Sequence, residues 1–400
     1  MKKQLLTAAI LCCLVIAGST AAPKSAKKKP KIPVSRVQTH MDGYLGDRID
    51  ACIRVRVCSE DPDLLVAPMR RQTETSLWQS EFWGKWTLGA IASYRYNKDP
   101  ELLRKIEGGV ESLLAAQQPD GYIGNYAPEA QLTNWDVWGR KYTMLGLLAY
   151  YDLTGDKKAL DGAVRLADHL LTQIPAVRQI ERTGIYRGMS SCSILEPIML
   201  LYNRTLDEKY LDFARYIVDR MESADGPQLI AKALDGVPVS ERFPLDDPSR
   251  GWFVWENGQK AYEMMSCYDG LLELYKVTND PRYLKAVEAT VTSIIADEIN
   301  IAGSGSSFEC FYKGKALQTE PAYHTMETCV TMTWMKLCYD LLRLTRNPLY
   351  ADQIERSAYN ALAASMKEDA SQIAKYSPLE GARSAGEEQC GMHVNCCNVN

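Results

Sequence analysis

Beyond its N-terminus this sequence has no apolar run that approaches the roughly 20 residues a membrane-spanning helix needs. That absence excludes a transmembrane body. Phenylalanine is scarce too, with six residues against 22 tyrosines and eight tryptophans. Rings with a polar edge suit a wet, ring-lined cleft, although they serve equally as core residues. A composition of 46% apolar and 24% charged residues excludes a mostly disordered or collagen-like chain. Four hundred residues suffice for one large domain or two.

The one long apolar run sits at the very start. Lys2 and Lys3 precede Leu5–Ala17, and Ser19-Thr20-Ala21 offers small residues for cleavage, so residues 1–22 read as a secretory signal peptide. Residues 23–35 follow as a Lys/Pro-rich linker. Setting aside the seven lysines Lys2, Lys3, Lys24, Lys27, Lys28, Lys29 and Lys31 takes the formal charge from −4 to −11. The body is therefore acidic, and nucleic acid is not an expected partner. Export to the periplasm or the medium is expected.

One phrase recurs through that body. It runs Tyr94–Asp99 (YRYNKD), Tyr151–Asp156 (YDLTGD), Tyr202–Asp207 (YNRTLD), Tyr275–Asp280 (YKVTND) and Leu342–Asn347 (LRLTRN). Each copy lies between two apolar runs, and its closing Asp or Asn is a good helix N-cap. Pro100, Pro281 and Pro348 follow at the first helical position, where proline is favoured. Each phrase therefore marks the turn of a helical hairpin. The turns recur at 57, 51, 73 and 67 residues, too far apart for a tetratricopeptide array. The expected fold is an all-α (α/α)6 toroid over residues 36–400, with long loops at one mouth.

Four segments read as such loops: Trp78–Trp86, Gln117–Tyr126, Trp135–Arg140 and Gly251–Gln259. Tryptophan beside an acid, as in Trp135-Asp136 and Trp255-Glu256, offers a ring to stack on a sugar and an acceptor for its hydroxyls. A Trp-rich barrel core explains the same residues.

Ten cysteines follow the signal peptide, without the spacing of a small disulfide framework. Cys52 and Cys58 are close enough to pair. Cys192, Cys267, Cys310 and Cys338 sit in apolar contexts and read as buried thiols. Glu327-Thr328-Cys329 and Cys396-Cys397 are different, because a carboxylate and three thiols make a set that Zn²⁺ accepts tetrahedrally. An ordinary disulfide, or unrelated core thiols, fit the spacing as well.

With these residues in view, the chain resembles the catalytic domain of glycoside hydrolase family 127, the β-L-arabinofuranosidase group. The resemblance spans most of residues 40–400. It rests on Gln117–Gly124 (QQPDGYIG), Tyr150–Asp156 (YYDLTGD), Tyr210–Ala214 (YLDFA), the Glu-Thr-Cys triplet and the Cys-Cys pair. It implies that Glu327, Cys329, Cys396 and Cys397 bind zinc and that Cys396 is also the nucleophile. It also implies a glutamate acid/base shortly before the triplet. Glu309, in Ser307–Phe311, occupies that place, with Glu320 as the fallback. A retaining exo-glycosidase acting on an oligosaccharide or polysaccharide is the function implied. The family continues into β-sandwich domains, so a longer polypeptide is expected beyond residue 400.

The departures bear on the sugar. A family Gly-His-Leu phrase is replaced by Leu145-Gly146-Leu147, and a second histidine by the stretch Ser190-Ser191-Cys192. A Gly-His-Ala phrase corresponds to Gln259-Lys260-Ala261, and the Pro-Pro after the pair to Asn398-Val399. Only His40, His169, His324 and His393 are present. His393 is expected to line the pocket, and His324 is a further site candidate. Two other readings stand beside the leading one: an (α/α)6 glycuronyl hydrolase or lyase with incidental cysteines, and a glycan-binding scaffold that keeps zinc without turnover.

Overall fold

The computed structural model describes residues 39–243, 259–317, 320, 324–386 and 388–399. The expected signal peptide and linker, and Trp255 and Glu256, lie outside the described residues. After α1 (Gly43–Cys52) and α2 (Pro62–Arg71), helices come in pairs: α3 (Ser80–Asn97) and α4 (Pro100–Ala115), α5 (Asp136–Thr154) and α6 (Lys157–Gln173). After the short α7 (Met189–Cys192) come α8 (Leu195–Thr205) and α9 (Glu208–Met221), then the short α10 (Leu229–Leu234). The last pairs are α11 (Ala261–Thr278) with α12 (Pro281–Asp297), and α13 (Thr328–Thr345) with α14 (Pro348–Ser357). A two-stranded antiparallel ribbon, β1 (Ala374–Tyr376) and β2 (Ser384–Ala385), follows.

The recurring phrase is the hairpin turn in all five places. The first helix of each pair ends on a left-handed residue: Lys98, Gly155, Leu206, Asn279 and Arg346. The next residue then caps the second helix. Asp99, Asp156, Asp207, Asp280 and Asn347 each accept the backbone N–H two residues on. Such a cap contributes about 1 kcal/mol. The phrase adds one more bond, since Asn97, Thr154, Thr205, Thr278 and Thr345 each accept the N–H of the capping residue.

Two layers result, forming an (α/α) barrel. The helices α3, α5, α8, α11 and α13 pack side by side in that order, and α4, α6, α9, α12 and α14 lie outside them. Outer helices bury one stripe, as α9 does with Tyr210, Ala214, Ile217 and Met221. Inner helices are buried all round: α5 from Asp136 through Leu148, α11 from Ala261 through Leu272. Missing side chains set the closest approach, between α3 and α5. A Cβ on Gly84 would stand 2.3 Å from the Tyr142 carbonyl oxygen, and one on Gly146 would stand 2.6 Å from the Trp83 ring. Among the described residues no helix is long and apolar enough to cross a membrane.

Candidate active site

Every hairpin runs from an inner to an outer helix, so the inner helices share a direction and their N-termini meet at one mouth. A cavity of about 400 Å³ opens there. It is lined by Glu81 and Lys85 from the start of α3, Trp138 from α5, Lys260, Tyr262 and Glu263 at the start of α11, and Glu327 just before α13. Helix N-termini carry partial positive charge and favour anions nearby. Trp78, Trp135 and Trp138 form one wall, in edge-on contacts with ring centroids 5.8 Å apart.

The floor is the cysteine cluster. Ligand atoms of Glu327, Cys329, Cys396 and Cys397 all lie within 4.8 Å of one another, and all four residues are buried. The Cys329 and Cys397 sulfurs are 3.3 Å apart, and those of Cys396 and Cys397 are 4.0 Å apart. Glu327 Oε1 lies 3.9 Å from Cys396 Sγ and 3.7 Å from Cys397 Sγ. Around a tetrahedral zinc ion, sulfur at about 2.3 Å and oxygen at about 2.0 Å stand about 3.5–3.8 Å from one another. The spacing suits that geometry, whereas a disulfide needs sulfurs at about 2.05 Å. All ten described cysteines are free thiols, Cys52 and Cys58 among them. Cys192, Cys267, Cys310 and Cys338 are buried, as expected.

Only one of the three clustered thiols faces the cavity, and it is Cys396. Its backbone N–H donates to Gln389 Oε1 at 3.1 Å, which fixes the loop that carries it. Hydrogen bonds from the thiols of Cys329 and Cys397, and the charges of Lys85 and Lys375, hold the Cys396 thiol well below its ordinary range. Lys85 is fully enclosed, 3.1 Å from Glu81 Oε1 and 3.6 Å from Cys329 Sγ. Glu81 in turn accepts the indole N–H of Trp138.

Glu309 stands across the cavity wall in a cage of donors. Lys260 Nζ is 2.9 Å from its Oε2, Lys375 Nζ is 3.3 Å from its Oε1, and the Tyr376 hydroxyl donates to Oε1 at 3.1 Å. Burial pushes the Glu309 carboxyl up, but the two ammonium charges and the hydrogen bonds from Lys260 and Tyr376 outweigh it and bring it to about 2. Glu320 is exposed and does not line the cavity.

The other expected sugar contacts divide. Trp135 lines the cavity. Asp136 does not: it is a buried structural acid, accepting the Tyr122 hydroxyl and the Leu132 N–H at 2.8 Å each and pairing with Arg140 at 2.6 Å. His393 turns away, its Nε2 2.7 Å from Glu60 Oε1 in a separate polar groove. His324 lies one layer behind, its ring 4.9 Å from both Phe308 and Tyr376. His169 is a satisfied core histidine between Arg140 and Asp120. Two expected loops are in fact helix starts, since α3 begins at Ser80 and α5 at Asp136. Trp83 and Trp86 consequently belong to the core, while Trp78 and Trp135 remain at the mouth.

Several cavity residues carried no signal of their own in the sequence. Glu81 and Lys85 lay inside the Trp78–Trp86 segment at helical i,i+4 spacing, which was legible in principle. Glu263, Lys375 and Gln389 were not, because nothing local distinguishes them.

Fold and site together define a class: an (α/α) barrel whose mouth holds an aromatic-walled cavity above a buried carboxylate–thiol cluster able to take a metal ion. Comparison with known proteins narrows this. Residues 37–400 match the sequence model described as "Beta-L-arabinofuranosidase, GH127 catalytic domain", and the chain belongs to that family of glycoside hydrolases. It is 22% identical over 322 residues to the non-reducing end beta-L-arabinofuranosidase of Bifidobacterium longum subsp. longum, covering 74% of this chain and 47% of that protein. A solved GH127 beta-arabinofuranosidase is similar with TM-score 0.65 and 21% identity, covering 90% of this chain and 59% of the other. A GH127 beta-L-arabinofuranosidase from Geobacillus stearothermophilus T6 is similar with TM-score 0.65 and 21% identity, covering 89% and 61%. The chain thus spans about half the length of the curated relative it matches.

Proposed function

We propose that this protein is an exported, retaining exo-glycosidase that removes a terminal sugar, β-L-arabinofuranose-like, from plant or microbial glycans. The observation that carries the reading is the placement of Cys396. It is the one clustered thiol that faces the cavity, and Glu309 lines the same cavity. Glu327, Cys329, Cys396 and Cys397 would hold zinc, which when bound keeps Cys396 as a directed thiolate. Export rests on the leader sequence at Lys2–Ala21.

In the first step Cys396 Sγ attacks the anomeric carbon, the glycosidic C–O bond breaks, and the small fraction of Glu309 that carries a proton gives it to the leaving oxygen. In the second, Glu309 takes a proton from water as that water displaces the thiolate. The carboxylate form enforced by Lys260 and Lys375 suits the second step directly. The aromatic wall gives the sugar a stacking surface and thins the water around the reacting carbon.

Metal analysis and thiol labelling test this reading. The purified chain should hold about one zinc ion, and both Cys329→Ser and Glu327→Ala should lower zinc content. A sugar-derived haloacetamide should label Cys396 and be blocked by the released sugar. Full activity in metal-free protein, or inactivation with the label elsewhere, would overturn it.

A further inference from the structure

The two adjacent cysteines of the cluster are carried by chain that has no regular structure of its own. Residues 388–399 follow β2 and form neither helix nor strand. Bonds inside the segment set its local shape. The Met392 N–H donates to the Gln389 carbonyl at 2.8 Å, the Cys396 N–H to Gln389 Oε1 at 3.1 Å, and the Cys397 N–H to Asn395 Oδ1 at 2.9 Å. None of these fixes where the segment stands against the barrel. Met392 and Val394 bury themselves in the core, and two directional side-chain bonds reach the first part of the chain. Gln79, immediately before α3, donates from Nε2 to the Cys390 carbonyl at 2.7 Å. His393 Nε2 lies 2.7 Å from Glu60 Oε1, across 333 residues of sequence.

Glu60 is a fixed post. It is buried in the turn leading into α2, its Oε1 also accepts the Asp61 N–H at 3.1 Å, and Lys105 on α4 donates to its carbonyl at 3.0 Å. Among the described residues, His393–Glu60 is the one contact between a basic and an acidic side chain that residues 388–399 make. Arg56, Asp61 and Glu388 line the same groove, and none of them pairs with either partner. Imidazole can carry a proton on Nε2 in either charge state, so the bond survives both, and a carboxylate acceptor strengthens it.

We propose that His393 is a positioning residue for the metal cluster: its bond to Glu60 latches residues 388–399 onto the first helices and holds Cys396 and Cys397 within reach of Glu327 and Cys329. The inference rests on the zinc–thiolate reading above and adds the pair of residues that keeps that site assembled. Glu327 and Cys329 need no latch, because they stand at the start of α13. With the latch open, the two ligands on the irregular segment gain freedom that the other two lack, and the cluster loses zinc faster.

The test compares the zinc-loaded full chain with His393→Ala, Glu60→Ala and the double variant, following zinc transfer to the chelator 4-(2-pyridylazo)resorcinol. Each single change should speed transfer about 3- to 10-fold, the range for a charge-assisted hydrogen bond with one partner partly in water. The double variant should be no faster than either single one, because both changes break the same bond. His393→Gln keeps an N–H donor at similar reach and should recover most of the loss. Asp280→Ala reads the merely structural outcome: it removes the cap of α12, lowers Tm and should leave zinc transfer unchanged. Transfer at the wild-type rate in His393→Ala, additive effects in the double variant, or equal acceleration in Asp280→Ala would overturn the proposal. If His393→Ala does not fold, Glu60→Ala against His393→Gln makes the same comparison. If the purified chain binds no zinc, the zinc reading fails by itself. The latch is then read in metal-free protein from the rate at which iodoacetamide modifies the buried Cys397. That rate should be higher in His393→Ala than in wild type, and equal rates count against the latch.

Discussion

Replacing Asp136 with alanine should cost this protein stability and leave its sugar affinity nearly untouched. The side chains of Asp136 and Arg140 are both fully enclosed, with Oδ2 and Nη2 2.6 Å apart. Arg140 also donates to Gln173 at 2.8 Å and lies 4.7 Å from the centre of the Tyr122 ring. Removing the carboxylate strands a guanidinium in the core and leaves the Tyr122 hydroxyl and the Leu132 N–H without their acceptor. Breaking one half of a buried pair costs about 3–5 kcal/mol. At about 2.1 cal/mol/K of unfolding entropy per residue, a barrel of this size loses about 4–7 °C in Tm. Replacing both partners with leucine should cost less than the two single changes summed, because no lone charge is left behind. Differential scanning calorimetry gives the Tm, and KM on an aryl glycoside gives the sugar contact. An unchanged Tm with a KM raised tenfold would refute the reasoning and return Asp136 to the sugar.

Gly146→Ala should destabilise the barrel by about 1–3 kcal/mol, because the added methyl meets the Trp83 ring at 2.6 Å between two helices that cannot separate cheaply; a denaturant midpoint equal to wild type would show that Trp83 yields. The pH dependence follows from Glu309, whose carboxyl is held near 2. Its protonated fraction rises tenfold for each unit that pH falls from 7, so kcat/KM on an alkyl aglycone should climb toward acid pH and on a nitrophenyl aglycone should climb much less. Equal slopes for the two leaving groups would remove Glu309 from the acid role.

Local chemistry sufficed to write most of this fold. An Asp or Asn that accepts the N–H two residues on, after a left-handed residue, ends one helix and starts the next whatever surrounds it. The five hairpins are therefore legible residue by residue. The cluster was legible chiefly through the resemblance, since the residues alone left a disulfide or unrelated core thiols open as well. What the chain could not announce is which residues the barrel brings together at its mouth. Glu81, Glu263, Glu309, Lys375 and Cys396 lie up to about three hundred residues apart in sequence; parallel inner helices bring Glu81 and Glu263 to one mouth by their N-termini, while the segment before α13, the strand β1 and the segment after β2 bring Glu309, Lys375 and Cys396. The same geometry separates neighbours. Trp135 and Asp136 adjoin in sequence, yet one faces the cavity and the other pairs with Arg140 inside α5, since successive helical residues point about 100° apart. Sequence adjacency determined what could cap a helix; only packing decided which side chains gather in the cluster and face the cavity.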